Sequence, residues 1–373
     1  DPVPEHDSSG EFIELVTELY RFDGDKKAAG KMWPRVKDAA KYLDELRQQR
    51  RTEEFKQANK SEFFGILPPS ISHEGYSAKP MHSYWDDFFA LRGFRDAAYL
   101  AKELGKEKDQ KRLEAIANEF EHDFSASIAA AMERHGIDYV PGCADLGDAD
   151  ATSTTIALSP CNAAHVPPPG ALERTFDGYW KYFRERRDGV AKWEAYTPYE
   201  FRTVGSLVRL GRREDALAAM QYFFNHRRPR SWNQWPEVVW NDARAPHFLG
   251  DLPHTWVGSD FMRSFLDLFA YEEEDRLVVG AGVAPQWLER ARGIAVHGLR
   301  TQWGVLDLAM SKEGQNLTIS LGGDLRIPPG GVVVKAPGIL EGARTTINGD
   351  LELAEKNGEV VLRECPATIL IQP

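Results

Sequence analysis

Cysteine is scarce in this sequence, and long apolar runs are absent. Only Cys143, Cys161 and Cys365 occur among 373 residues, too few and too scattered for a disulfide framework or a zinc site. A bridge between Cys143 and Cys161 is an alternative, but buried thiols are the favoured interpretation. No segment approaches the roughly 18 to 20 apolar residues of a membrane span, so we expect no membrane partner.

Net positive charge is also lacking. Lysine and arginine together number 46 against 57 acidic residues, which gives a formal charge of -11. A protein that binds nucleic acid needs clustered basic side chains against the phosphates. We therefore expect no nucleic-acid partner.

Several catalytic and ligand-binding motifs are missing as well. The sequence has no G-x-S-x-G nucleophile elbow, and "GAGVAP" (280–285) opens no dinucleotide-binding βαβ unit. Asp145, Asp148 and Asp150 are dense enough for a calcium loop, but the bidentate Glu of that pattern does not follow. Asp150 instead suits the N-cap of a helix. We expect no metal and no other cofactor.

What is present falls into two regions of different periodicity. Before about residue 272 apolar residues recur at helical spacing, and after it short alternating runs are separated by Gly and Pro. A chain of this length exceeds the size at which one hydrophobic core usually stops growing. We predict a helical domain over 1–272 and, over 273–373, a small antiparallel β-sandwich that covers an apolar face of the helices.

Nine candidate helices precede this boundary, with no strands between them. A doubly wound sheet would need alternating strands and helices, and a solenoid would need a fixed repeat. Helical hairpins packed as a toroid or bundle remain. The candidate helices are 10–22, 34–56, 84–104, 110–135, 151–159, 171–188, 195–211, 213–227 and 255–271.

Three long loops of the helical region combine aromatic, acidic and histidine residues: 65–87, 139–155 and 229–256. Long loops in a compact domain are commonly functional. Aromatic faces pack against the apolar C–H faces of a pyranose, while carboxylates, His and Lys bind its hydroxyl groups. The composition of the loops therefore favours a carbohydrate ligand.

Hydrolysis of a glycosidic bond needs two carboxyl groups, one protonated and one ionised. Glu237, in "WNQWPEVVW", is flanked by Trp232, Trp235 and Trp240, and these apolar surroundings could modify its pKa. The alternative is a surface glutamate after Pro236 at the start of a helix. The third loop can thus supply one carboxyl group of such a pair.

The stretch "SYWDDFFALRG" (83–93) could supply the other carboxyl group. Ser83 and Asp86 match the capping pattern S-x-x-D, so Asp86 could simply satisfy backbone donors at a helix start. Asp87 points about 100° away and cannot share that role. A helix N-terminus stabilises a carboxylate, whereas burial and a neighbouring carboxylate stabilise the protonated acid. The residues alone leave both aspartates open as the acid.

The whole pattern resembles the six-hairpin glycoside hydrolases, which include glucoamylases, trehalases, processing α-glucosidases and α-L-rhamnosidases. Segment 19–43 and the turn "GILP" (65–68) are similar to a mid-barrel hairpin of these enzymes, and "YWDDFFALRG" lies where glucoamylases carry Trp and two acidic residues. "WPEVVW" is similar to the segment with their general base, and 292–310 resembles the sandwich after the barrel. The resemblance implies a mainly α fold, an (α/α)6 toroid followed by a small C-terminal antiparallel β-sandwich.

The resemblance also implies roles for individual residues. Asp86 takes the place of the general acid, with Asp87 as its rival, and Glu237 takes that of the general base. We expect an inverting glycoside hydrolase that binds a carbohydrate substrate without a cofactor. The expected substrate contacts are Trp85, Tyr84, His82, Lys79, Asp148, Trp232, Trp235 and His254.

A complete barrel has twelve helices, so the resemblance implies that the first helices lie in an upstream N-terminal segment of the same protein. Alternatives keep the scaffold but change the function. Arg228, Arg230 and Arg244 near Glu237 would suit a glycoside phosphorylase, or the uronic acids cleaved by a polysaccharide lyase. A carbohydrate-binding protein that has lost catalysis would keep only the aromatic residues.

Overall fold

The computed structural model divides the chain into two compact units, Asp1–Phe183 and Arg184–Pro373. The domain boundary predicted at residue 272 separates helical from strand-rich sequence and stays a prediction. The residues that the structure describes are 4–73, 75–242, 244–245, 250–339, 344–353 and 358–372.

The first unit is built mainly of helices. Its long helices are α1 (Ser8–Asp23), α2 (Lys26–Gln48), α3 (Tyr84–Glu103) and α4 (Glu107–His135), followed by the short α5 (Ala151–Thr154) and by α6 (Ala171–Arg187). A helix was predicted from the apolar spacing at each of these places, and most of the helix ends lie within a few residues of the predicted ends.

The start of α2 is a correction to the prediction. The helix was expected over 34–56, with Pro34 in its first turn. Pro34 instead lies inside α2, which also ends eight residues earlier than expected, at Gln48. The helix begins earlier because the Asp25 carboxylate accepts hydrogen bonds from the amides of Lys27 and Ala28, each at 2.9 Å, and so satisfies two donors of the first turn.

Ion pairs show that α1 and α3, which α2 separates in sequence, run in the same direction. Arg21 binds Asp96 at 2.5 Å and Arg92 binds Glu18 at 2.7 Å, so both contacts advance together along the two helices. Parallel alternate helices are what successive antiparallel hairpins produce. The same direction holds for α4 and the end of α2, because Arg47 of α2 binds Glu119 and Arg51, three residues after α2, binds Asp123.

Two glycines allow α1 and α3 to pack closely. A Cβ placed on Gly10 would lie 2.2 Å from the carbonyl oxygen of Phe89, and one on Gly93 would lie 3.0 Å from the Cα of Gly10. Neither contact leaves room for a side chain. The N-terminal half of α3 is therefore held directly against α1.

The cysteines of the first unit are thiols. Cys143 and Cys161 are free and buried, which confirms the favoured interpretation. Within the described residues, no helix has the length and apolar character needed to cross a bilayer. Over the same ranges, His, Cys, Asp and Glu side chains form no group of three or more that could hold a metal ion.

The second unit begins with a helical part: α7 (Arg202–Arg209), α8 (Arg213–Asn225) and α9 (Thr255–Asp267). The predicted helix 195–211 is wrong in its first half. Strand β1 (Ala195–Tyr196) pairs antiparallel with β2 (Val239–Trp240), so the expectation of no strands before 272 is also wrong. The cause is Pro198, which holds Thr197 extended and starts a 3-10 turn instead of continuing a helix.

Buried ion pairs also fix the direction of α7 and α9. Arg202 binds Asp260 at 2.6 Å, and Arg209 binds Asp267 at 2.8 Å. The partners are seven residues apart on both helices, so α7 and α9 run parallel, with α8 between them in sequence. The register therefore repeats the alternation seen in the first unit.

The C-terminal part of the second unit is a β-sandwich. Apart from the parallel pair β4–β8, its strands are antiparallel, in the orders β10-β9-β12-β7-β6-β5 and β11-β8-β4-β3. Alternate residues such as Leu317, Ile319 and Leu321 are buried between the sheets. The strands are β3 (Ala270–Glu273), β4 (Arg276–Val279), β5 (Ile294–Thr301), β6 (Gly304–Glu313), β7 (Asn316–Gly322), β8 (Val332–Val334), β9 (Arg344–Ile347), β10 (Asp350–Leu353), β11 (Val360–Leu362) and β12 (Ala367–Gln372), and the short helix α10 (Pro285–Leu288) lies before β5.

Candidate active site

Asp86 and Asp87 lie in the first turn of α3, and both are 0% exposed. Ser83 occupies the N-cap position, but its side chain makes no capping hydrogen bond. Its hydroxyl donates instead to Oγ of Ser72 at 2.9 Å. The predicted capping pair of Ser83 and Asp86 is therefore wrong, because the long loop before α3 folds back and supplies other partners.

Asp86 is held by that loop. The hydroxyl of Ser70 donates to Oδ2 of Asp86, and the amide of Ser72 donates to Oγ of Ser70 at 2.7 Å. Oδ1 of Asp86 is buried without a hydrogen-bond partner among the described residues. One carboxyl oxygen is thus fixed while the other is left for another group.

The surroundings of Asp86 favour its protonated form. Burial, followed by the negative charges of Asp7 and Asp87, raises its pKa well above the ordinary value, although hydrogen bonds from Ser70 and Ser72 act in the opposite direction. The helix N-terminus does not overcome these effects. The surroundings of Asp86 therefore favour retention of its proton, as a general acid requires.

Asp87 has a different connection. Its Oδ1 accepts a hydrogen bond from the amide of Leu67 at 2.9 Å, which ties the loop before α3 to the helix. Burial raises the pKa of Asp87 well above the ordinary value, against the effect of the Leu67 amide. Oδ2 of Asp87 is also buried without a partner in the described part of the chain.

Ser70 and Ser72 are site residues that sequence reasoning missed. Both are 0% exposed, and Ser72 has a φ of 55°, a left-handed conformation that costs a non-glycine residue about 1–2 kcal/mol. Strained buried residues are common at functional sites. No local sequence signal marks them, because their role depends on where the loop returns to α3.

Tyr84 and Trp85, expected as walls of a substrate site, are 1% and 4% exposed. The Trp85 indole donates from Nε1 to Oδ2 of Asp7 at 2.9 Å, and the Tyr84 hydroxyl contacts Oγ of Ser127 at 3.0 Å. Their polar atoms therefore have partners inside the first unit. Contact of either ring with a substrate stays a prediction.

His82 joins the first and second loops. Its ring stacks on Phe63 with centroids 4.4 Å apart, and its Nε2 accepts from Nε of Arg50 at 3.1 Å. The hydrogen is therefore on Nδ1, which lies 3.2 Å from the Asp145 carboxylate. Burial favours protonation of Asp145, but hydrogen bonds from His82 and the charge of exposed Lys79 hold its pKa below the ordinary value.

The other carboxylates of the second loop accept hydrogen bonds from the first loop and from the second loop itself. Asp148 accepts hydrogen bonds from the Tyr76 hydroxyl at 2.9 Å and from the Cys143 amide at 3.2 Å. Burial and the Asp148 charge raise the pKa of Cys143 to about 12, which favours the less reactive thiol form over the thiolate. Asp150 accepts from the Ser153 amide at 3.0 Å, which confirms the predicted helix N-cap.

Glu237 belongs to the second unit and is half-buried. It lies two residues before β2 and not at a helix start, so the alternative of a helix-start glutamate is wrong. Its amide donates to the carbonyl of Asp251 at 3.0 Å. A Cβ on Gly250 would lie 3.1 Å from the Glu237 Cβ and 3.3 Å from its Oε2, so a glycine lets the facing segment pass close to the carboxylate.

The remaining predicted residues surround Glu237 in sequence and differ in exposure. Trp235 is 6% exposed and packs against Phe201 and Phe261, whereas Trp232 is 54% exposed. His254 is the N-cap of α9, and its amide donates to the Trp235 carbonyl at 3.0 Å. The second unit thus brings Trp235, Glu237 and His254 together, and the first brings together the aspartates, Tyr84 and Trp85.

Comparison with known proteins gives similarity in three dimensions only. No protein-family model matches the sequence, and no curated protein matches it. A solved α-L-rhamnosidase from Dictyoglumus thermophilum is similar with a TM-score of 0.59 and 13% identity, over 98% of this chain and 39% of that enzyme. A GH78 family rhamnosidase of Bacillus sp. GL1 has a TM-score of 0.54 and 16% identity, over 87% of this chain and 32% of that enzyme.

These similarities concern the fold. They show that the fold is similar to that of the two rhamnosidases, as the predicted resemblance expected, and they agree with a helical region followed by a β-sandwich. The chain spans about two fifths and one third of the lengths of the two solved enzymes.

Proposed function

We propose that this protein is a glycoside hydrolase with an (α/α)6 toroid, in which Asp86 is the general acid and Glu237 the general base of an inverting reaction. The observation that carries the proposal is the buried carboxyl group of Asp86 at the start of α3. Its pKa is raised by burial and by Asp7 and Asp87, and one of its oxygens has no partner within the described residues. A general acid needs this combination of a retained proton and an available oxygen.

Asp86 suits the acid better than Asp87. Asp87 accepts from the Leu67 amide, and its carboxyl group is therefore part of the packing between a loop and α3. Asp86 is held by the hydroxyl of Ser70, and a hydroxyl group can donate or accept as the proton of the acid comes and goes. This difference agrees with the position that the resemblance gives to Asp86.

Glu237 suits the base because it is half-buried in an aromatic loop and not at a helix end. A base must be ionised to activate water on the face of the sugar opposite the acid. Inversion requires about 6.5–9.5 Å between the two carboxyl groups. Because both similar structures are rhamnosidases, α-L-rhamnosides are the first substrates to test on the full-length protein.

The experiment follows the first-formed product by proton NMR. An inverting enzyme acting on an α-L-rhamnoside releases β-L-rhamnose before mutarotation, and Asp86→Asn and Glu237→Gln should each lose most of the turnover. First release of α-L-rhamnose would overturn the inverting mechanism. Full turnover in both variants would overturn the assignment of the two carboxyl groups.

The contacts of two arginines support hydrolysis over phosphorolysis. Arg228 and Arg230 each donate to the carbonyl oxygen of Asn225, the last residue of α8, at 3.4 and 3.0 Å. Their guanidinium groups satisfy a helix C-terminus, a role that does not require phosphate. Turnover without added phosphate is the expected result.

An upstream segment of the same protein would complete the toroid in this proposal. Leu15, Leu19 and Phe22 follow one face of α1 and are 56%, 58% and 42% exposed. Residues at this spacing usually form the buried side of a helix. A cysteine in place of Leu19 should react with maleimide in the 373-residue chain and be protected in a longer protein that includes the upstream helices; equal reactivity would contradict this role.

A further inference from the structure

A second aromatic cluster in the second unit lies outside the proposed pair of carboxyl groups. Trp256, in the first turn of α9, is 39% exposed. Its ring meets the half-buried Tyr199 ring edge to face, with centroids 5.1 Å apart and an interplanar angle of 74°. Tyr199 also meets the ring of His254 at 5.4 Å and 84°. We call Tyr199, His254 and Trp256 the aromatic platform.

The platform is supported from within by a buried ion pair. The guanidinium carbon of Arg202 lies 5.3 Å from the Tyr199 ring centroid and 5.5 Å from that of Trp256. Arg202 is anchored because its Nε and Nη2 donate to Oδ2 of Asp260 at 3.0 and 2.6 Å. Asp260 lies one helical turn after Trp256, so α9 carries both the ring and the anchor. The exposed indole is thereby held in one orientation.

His254 gives the platform a defined polar edge. Its Nδ1 accepts from the Val257 amide at 3.4 Å, so the ring hydrogen is on Nε2. Nε2 lies 3.3 Å from the Tyr199 hydroxyl and donates to it. An indole face with an imidazole and a phenol at its edge combines apolar area with groups that bind hydroxyls.

The platform is continuous with the loop of Glu237. The amide of His254 donates to the Trp235 carbonyl, and the carbonyl of Asp251 accepts from the Glu237 amide, both at 3.0 Å. The same two chain segments therefore carry the platform and the proposed base. A sugar bound on the platform would therefore lie beside the chain segments that also carry Glu237.

We propose that the aromatic platform is a sugar-binding subsite, in which a pyranose ring of the substrate stacks on Trp256 and the Tyr199 hydroxyl donates to one of its hydroxyl groups. This inference rests on the proposed function for its ligand class. It differs from the catalytic proposal because binding at the platform needs neither Asp86 nor Glu237. Stacking on a fixed ring is expected to strengthen sugar binding by roughly two- to tenfold.

The test measures sugar binding and turnover separately in the full-length protein. Binding of a rhamnose-containing oligosaccharide is followed by saturation-transfer NMR in an Asp86→Asn background, so that turnover does not remove the ligand. Trp256→Ala is expected to weaken binding by about two- to tenfold, and Trp256→Phe to weaken it less, because a smaller aromatic face remains. Met262→Ala is the matched control, since Met262 is exposed on the same helix at 52%.

The outcomes separate the two proposals. Oligosaccharide binding that is lost in Trp256→Ala and kept in Met262→Ala supports the subsite, even if the wild type hydrolyses no glycoside. Equal binding by Trp256→Ala and the Met262→Ala control, or absence of binding in the Asp86→Asn protein, overturns the subsite. Unfolding midpoints measured by circular dichroism show whether Trp256→Ala has lost binding because it is unfolded. In that case Trp256→Phe is the test of the subsite. A partial loss of oligosaccharide binding in Trp256→Phe supports the subsite, and unchanged binding contradicts it.

Discussion

The hydroxyl of Ser70 donates a hydrogen bond to the carboxyl group of Asp86, sixteen positions further along the chain, and both residues are fully buried. This contact joins the loop before α3 to the first turn of the helix. It fixes Oδ2 of Asp86 and leaves Oδ1 for another group. The proposed acid therefore depends on a loop residue that carries no reactive group of its own.

Removal of the Ser70 hydroxyl should change the pH dependence of catalysis. Because this hydrogen bond lowers the pKa of Asp86, Ser70→Ala should raise that pKa further, and the acid should stay protonated to higher pH. The alkaline limb of the kcat/KM profile is expected to move to higher pH. Ser125→Ala is the control, because its hydroxyl donates to the Val166 carbonyl and not to Asp86, Ser70 or Ser72; an equal shift in both variants, or a downward shift in Ser70→Ala, would contradict this role.

Stability should depend on pH through the two buried aspartates. The pKa of each is raised on folding, so the folded chain holds protons that the unfolded chain has released. The stabilisation is fully present below the unfolded pKa and is lost as the pH rises through the folded pKa. Asp86→Asn and Asp87→Asn remain neutral, so urea unfolding should show the variants gaining stability relative to the wild type as pH rises. Parallel curves would contradict burial of the protonated acids.

The helices could be predicted from sequence because apolar residues recur at helical spacing along the face that each helix buries. The fold of the loops could not be predicted, and it decides the site. The pattern S-x-x-D indicated a cap at Ser83 and Asp86, but Ser70 and Ser72 return to the same place and replace it. Likewise, the aromatic residues around Glu237 indicated a sugar site, whereas their exposure, from 6% for Trp235 to 54% for Trp232, depends on distant packing.

Replacement of a packed glycine and of an exposed glycine by alanine should have opposite effects on the free energy of unfolding. Gly10→Ala would place a Cβ 2.2 Å from the Phe89 carbonyl oxygen, and we expect a loss of about 1–3 kcal/mol in the free energy of unfolding. Gly30, on the exposed side of α2, has no atom within 4 Å of such a Cβ. Gly30→Ala should therefore stabilise the chain by about 0.5–1 kcal/mol through helix propensity. Urea denaturation checks both values, and a neutral Gly10→Ala would contradict the close approach.

The buried pair of Arg209 and Asp267 should matter far more than a pair at the surface. Arg209→Met leaves the Asp267 carboxylate, 5% exposed, without its partner, and about 3–5 kcal/mol should be lost. Lys41 and Glu45 are 3.3 Å apart, with side chains 68% and 62% exposed. Lys41→Met should change the free energy of unfolding by less than about 1 kcal/mol. Similar losses in both variants, measured by chemical denaturation, would contradict the buried register of α7 and α9.

The most direct test of the proposed mechanism compares two leaving groups on the same sugar in the full-length protein. A poor leaving group such as an alkoxide needs a proton from the general acid, whereas 2,4-dinitrophenolate does not. With the alkyl α-L-rhamnoside, we expect Asp86→Asn to lower kcat/KM by roughly 10²–10⁴-fold. With the dinitrophenyl glycoside the loss should be small, while Glu237→Gln should impair both substrates alike. Equal losses on both substrates in Asp86→Asn, or wild-type rates on both, would contradict the role of Asp86 as the general acid.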